Sequence, residues 1–113
     1  KAQLFVKGEK EPLKFCSVKD GFVYVLQPEN ASRTVAFYVS DFGNKKDVPL
    51  HEKMLTAQKA FFNAGSDVRG AMGKSILPFA TKEEVQAFTK EHGGTIVNYS
   101  EVKFELLKSL KGH

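Results

Sequence analysis

Two five-residue strings, 64 positions apart, constrain this chain more than any other feature in it. Leu13-Lys14-Phe15-Cys16-Ser17 and Leu77-Pro78-Phe79-Ala80-Thr81 share a leucine, a phenylalanine two residues on, a small residue and then a hydroxyl residue. Each is followed by a stretch of about ten residues or more and then by a strand with β-branched residues. A chain of 113 residues suits one domain, or two very small units sharing a core. The repeat selects the second arrangement. The expected fold class is α+β, two β-β-α-β units in tandem that form one compact body. The first unit covers residues 1–43, and the second covers 44–113 and ends in a short helix.

The repeat also settles a local ambiguity. In residues 18–27, Asp20-Gly21 lies between apolar residues and by itself favours a tight hairpin turn. Ser17 with Asp20 three residues on favours a helix start. The second copy carries a much clearer helix, with Thr81 as cap, Glu84 three residues later and Gly93 at the stop. Val85, Phe88 and His92 fall on one face of it. By analogy the first copy is expected to be helical over 18–27. Strands are expected at 2–7, 13–17, 33–42 (largely buried), within 59–63, at 75–80 and at 95–102. Loops are expected at 28–32 and 65–75, and a polar connection at 43–52. Phe104, Leu107 and Leu110 suit a closing helix.

Composition excludes several classes. Ten phenylalanines and 42% hydrophobic residues describe a globular chain. The net charge of +4 comes from scattered lysines, with Lys45-Lys46 the densest spot, so no basic patch for nucleic acid is formed. No apolar run approaches the roughly 18 residues of a membrane span. The single cysteine, Cys16, rules out an internal disulfide. The chain opens at Lys1, which reads as a processed or trimmed start.

The stretch 65–75, GSDVRGAMGKS, ends like a phosphate-binding loop. That pattern needs a glycine at position 68, where Val68 stands, and a helix afterwards, where ILPFA reads as strand. Nucleotide binding is therefore excluded. Two readings of the stretch stay open. One is a flexible hairpin loop using its glycines for unusual backbone angles. The other makes Met72 an accessible thioether, a soft ligand suited to Cu(I). His92, in the last turn of the best helix, is either a half-buried structural histidine or an imidazole ligand. Cys16 is either a small semi-buried residue or a thiolate ligand near a helix N-terminus. His51 and His113 read as plain surface residues. No nucleophile, base and orienting group assemble, and Glu83-Glu84 are explained by the first turn of their helix, so no enzyme is expected.

The strings Gln58-Lys59-Ala60-Phe61-Phe62, Gly65-Ser66-Asp67-Val68-Arg69-Gly70-Ala71-Met72-Gly73, Pro78-Phe79-Ala80 and His92-Gly93-Gly94, with Phe88 and the strand end Tyr38-Val39-Ser40-Asp41, closely resemble the NosL family, accessory proteins of nitrous oxide reductase. The resemblance implies two β-β-α-β units, a fold shared with the organomercurial lyase MerB. It implies a bacterial, exported, periplasmic protein, lipid-anchored in its precursor. It implies transient binding of one Cu(I) ion per chain, with apo nitrous oxide reductase and the copper-delivery machinery as partners. Met72 matches the family methionine, and His92 and Cys16 are candidates to complete the site. The family often has proline where Ala71 stands, and it carries a cysteine-containing segment upstream of the first hairpin. A single cysteine argues against lyase chemistry. The alternative reading is a metal-free interaction module of a membrane-associated respiratory assembly.

Overall fold

The structure, a computed structural model, describes residues 2–43, 54–70 and 73–110. It is α+β, as the repeat predicts. Strand β1 (Ala2–Val6) alternates strictly: Ala2, Leu4 and Val6 are buried and Phe5 is exposed. It pairs antiparallel with β2 (Leu13–Phe15) on one side and with β3 (Thr34–Ser40) on the other. The second half repeats this plan. Strand β5 (Phe61–Gly70) pairs antiparallel with β6 (Gly73–Phe79) and with β7 (Thr95–Asn98). In both sheets the first strand of the unit is central, and its second and third strands flank it. A short strand, β4 (Met54–Thr56), joins β3 at the edge of the first sheet, which therefore takes a strand from beyond residue 43.

The helices start as the repeated strings require. Ser17 Oγ accepts a hydrogen bond from the Asp20 backbone N–H at the head of α1 (Val18–Val25). Thr81 Oγ1 accepts one from the Glu84 N–H at the head of α3 (Lys82–His92). The cap and its partner are again offset by 64 residues. Gly21 is thus helical and not the corner of a hairpin. A Cβ there would lie 3.1 Å from Ala2 Cβ and from the Phe37 ring, so the glycine permits close approach of α1 to the first sheet.

Phe22 of α1 is the centre of the core. Its ring meets Phe37 of the first sheet edge-on at 5.1 Å and Phe62 of the second at 5.4 Å. Helix α1 therefore lies between the two sheets. Val18, Val25, Leu4, Val39, Ala64, Ile76 and Val97 complete this shared layer. On the other face of the second sheet, Leu77 and Phe79 pack with Val85 of α3, flanked by Phe61 and Phe88. A helix α4 (Phe104–Ser109) closes the shared core through Leu107 and Leu110, while Phe104 stays exposed.

Besides β4 and the far part of β5, three further elements differ from expectation. Residues 28–32 contain a short helix, α2 (Pro28–Ala31), because Pro28 presets the first helical position. Strand β3 is half-buried rather than largely buried: Phe37 and Val39 are buried, the alternate residues Ala36, Tyr38 and Ser40 are only partly covered, and Val35 is exposed as the extra residue at the register shift where β1 passes directly from Phe5 to Val6. Strand β7 stops at Asn98, whose side chain accepts from the Glu101 N–H while Glu101 accepts from the Asn98 N–H, which starts a 3₁₀ turn over Tyr99–Glu101.

Candidate metal centre

The expected glycine loop is mostly strand. Gly70 pairs with Gly73, and Arg69 with Lys74. Ala71 and Met72, between the paired ends, lie outside the described residues, as do His51 and His113. The expected loop is shortened because Arg69 and Gly70 pair with β6, which no local propensity records, while Gly65 does take the unusual backbone angle expected of a glycine there.

Strand β5 carries the site. Its first four residues alternate: Phe62 and Ala64 enter the shared core, while Phe61 and Asn63 turn toward α3. Asn63 is fully buried, and its Nδ2 donates to Thr89 Oγ1 at 2.8 Å and to the Gly93 carbonyl at 2.9 Å. This side chain ties the last turn of α3 to the sheet. The register then breaks. Between the pairs Ala64–Ile76 and Arg69–Lys74, β5 spends residues 65–68 where β6 spends only Ser75. Gly65 enters this bulge at φ +82°, a conformation that favours glycine. Buried Ser66 braces it, its Oγ accepting from the Val68 N–H at 3.2 Å. Asp67 lies in the bulge and is exposed to solvent.

There Asp67 meets His92. Asp67 Oδ1 lies 2.9 Å from His92 Nδ1. The imidazole stacks on Phe88, one turn earlier in α3, with centroids 4.5 Å apart and planes 29° apart. Phe88 in turn packs against Phe42 and Phe79. His92 Nε2 has Glu91 Oε2 at 3.9 Å, beyond hydrogen-bond distance. The imidazole is thus held at one nitrogen and on one face, and 36% of the side chain is open to solvent.

The sequence candidates divide as follows. His92 comes together with Asp67, a residue of the glycine-rich string, which the sequence reading did not select as a site residue. Its only signal was an acidic residue between the string's first two glycines. Cys16 is exposed and free, at the end of β2 and directly before the cap of α1, in the first sheet. No cluster of three or more His, Cys, Asp or Glu side chains fit to hold a metal is present among the described residues. A second methionine, Met54, sits half-buried on β4, its Sδ 3.4 Å from Ser40 Oγ.

Fold and site together define a duplicated α+β protein whose second unit presents an oriented imidazole beside a glycine-rich hairpin. The NosL family profile matches residues 1–107, and the chain belongs to the NosL family. It is 34% identical over 106 residues to the copper-binding lipoprotein NosL of Achromobacter cycloclastes, covering 90% of this chain and 55% of that protein. It is 32% identical over 96 residues to the copper-binding lipoprotein NosL of Stutzerimonas stutzeri, covering 84% and 50%. The chain thus spans about half the length of the curated relatives it matches. The crystal structure of the copper chaperone NosL from Shewanella denitrificans superposes with a TM-score of 0.80 at 29% identity, over 90% of this chain and 77% of that one. The solution structure of apo-NosL from Achromobacter cycloclastes gives 0.67 at 32% identity, over 95% and 88%.

Proposed function

We propose that this chain carries copper as Cu(I), one ion at a time, and passes it on without catalysing a reaction. The observation that supports this most is kinship: the relatives it matches over most of its length are named as copper-binding lipoproteins and a copper chaperone. Copper is here the cargo. Met72 and His92 are the leading ligands, with Cys16 as the third candidate. The chemistry suits the task. Thioether and imidazole are ligands that Cu(I) accepts, and an open site with few ligands allows a recipient to take the ion by exchange, where a closed four-ligand site would retain it. The recipient in this reading is apo nitrous oxide reductase together with its copper-delivery machinery, on the periplasmic side of the membrane, with a lipid anchor on the precursor. In this reading residues 1–43 and 44–113 carry the two copies of the unit, with β4 crossing back onto the first sheet, and Met72 and His92 lie in the second copy.

An anaerobic Cu(I) competition titration against a chromogenic chelator tests this. Wild-type chain is expected to bind about one equivalent, and Met72→Ala and His92→Ala each to lose roughly tenfold or more in affinity. Absence of Cu(I) uptake by the wild-type chain, and equally by a version extended upstream, would replace this reading with the metal-free interaction module.

A further inference from the structure

We propose that Asp67 is a positioning residue that makes Nε2 the copper-donating atom of His92. The inference rests on the copper-carrying reading and deepens it by naming the donor atom and the group that selects it.

A neutral imidazole has one N–H and one lone pair, on different nitrogens, so a histidine can ligate through only one of them at a time. A carboxylate beside one nitrogen accepts its N–H and leaves the lone pair on the other. Asp67 Oδ1 stands 2.9 Å from Nδ1, while no acidic oxygen among the described residues comes within hydrogen-bond distance of Nε2. The ring plane is set independently by the stack on Phe88. Both partners are held by the same strand. The bulge of β5 presents Asp67, and Asn63 on β5 fixes the carbonyl of Gly93, the residue after His92. The donor atom is therefore chosen before any metal arrives, so binding spends less free energy on ordering the ligand. The sequence pairs the two groups in a legible way: the aspartate lies in the glycine-rich string and the histidine begins His92-Gly93-Gly94.

The test uses chain labelled with ¹⁵N-histidine, at about pH 8. Long-range ¹H–¹⁵N correlation spectra of the metal-free protein report the tautomer of His92 directly. Wild type is expected to show the Nδ1–H form. Asp67→Ala is expected to shift toward Nε2–H and to lose about tenfold in Cu(I) affinity. Asp67→Asn, whose amide oxygen still accepts a hydrogen bond, is expected to keep the Nδ1–H form and most of the affinity. The Asp67 side chain is 66% exposed, so these variants should fold, and circular dichroism checks that they do. An Nε2–H form in wild type, or an unchanged tautomer in Asp67→Ala, overturns the proposal without touching the copper reading. So does undiminished Cu(I) affinity in Asp67→Ala where His92→Ala is weakened. Absence of Cu(I) binding by wild type overturns the copper reading instead, while the metal-free spectra still judge the hold of Asp67 on the ring.

Discussion

Two adjacent glycines after His92 show how much a single position can depend on its distant neighbours. Gly93 has φ +75° and ψ −165°, a region open essentially to glycine, but a Cβ there would point into empty space. Gly94 has φ +93°, and its Cβ would lie 2.8 Å from Asn63 Oδ1 and 2.9 Å from the Ala64 carbonyl and the Ser66 nitrogen. Two of those three are backbone atoms of the bulged strand and cannot swing away. Gly93→Ala is therefore expected to cost about 2 kcal/mol of strain alone. Gly94→Ala should cost roughly 4 kcal/mol, strain plus overpacking, and should separate Asp67 from His92. Equilibrium urea unfolding of the two variants decides it, and equal midpoints would contradict the packing argument. In the sequence Gly93 reads as a helix stop, and Gly94 carries no reading of its own. Which of them is irreplaceable was not legible, because it depends on strand β5, some thirty residues earlier. The same holds for Asn63, a polar residue in the apolar run FFNA. Its burial is visible only once Thr89 and Gly93 are placed beside it.

At the scale of elements, the two helices teach opposite lessons. Helix α3 is written locally, with its threonine cap, first-turn acids and terminal glycine all in place. Helix α1 is not: Asp20-Gly21 reads as a hairpin corner, and only the 64-residue repeat recovers it. The reason is that Gly21 serves the sheet and not the backbone. Alanine would raise helix propensity by about 1 kcal/mol. Its Cβ would also stand 3.1 Å from Ala2 Cβ and from the fully buried Phe37 ring, and overpacking of that kind costs about 1–3 kcal/mol. Gly21→Ala is thus expected to lower stability by about 1 kcal/mol net. A rise in the thermal midpoint would show that the contact yields easily. Strands β4 and the far part of β5 were missed for a related reason. Each exists through its pairing with a neighbour, β3 or β6, and its own residues carry little strand pattern. The site shares this limit: His92 was legible from its helix, whereas its partner Asp67 is brought to it by a bulge whose register no local pattern encodes.

At the scale of the whole molecule, the two copies share one core. Tyr99 follows the last strand of the second sheet, yet its ring packs on Phe22 of α1 at 5.5 Å and on Phe37 of the first sheet at 6.2 Å. Burial there raises the phenol pKa above its ordinary value, since the charged phenolate loses hydration. The sign of the consequence follows from proton counting. Above about pH 10 the unfolded chain has released the Tyr99 proton, while the folded chain still holds it. Rising pH therefore favours the unfolded state across that window. Below about pH 10 the contribution of the neutral ring is fully present, and it is lost as pH climbs toward the raised folded value. Tyr99→Phe keeps the ring and removes the titration. Urea unfolding of wild type and Tyr99→Phe from about pH 8 to 11 separates this group from the lysines and other tyrosines, which both proteins share. The stability difference between them is expected to stay flat up to about pH 10 and then to move in favour of the phenylalanine variant. A difference that stays constant throughout would mean that the Tyr99 hydroxyl is as well hydrated in the folded protein as in the unfolded chain, and would overturn the burial argument.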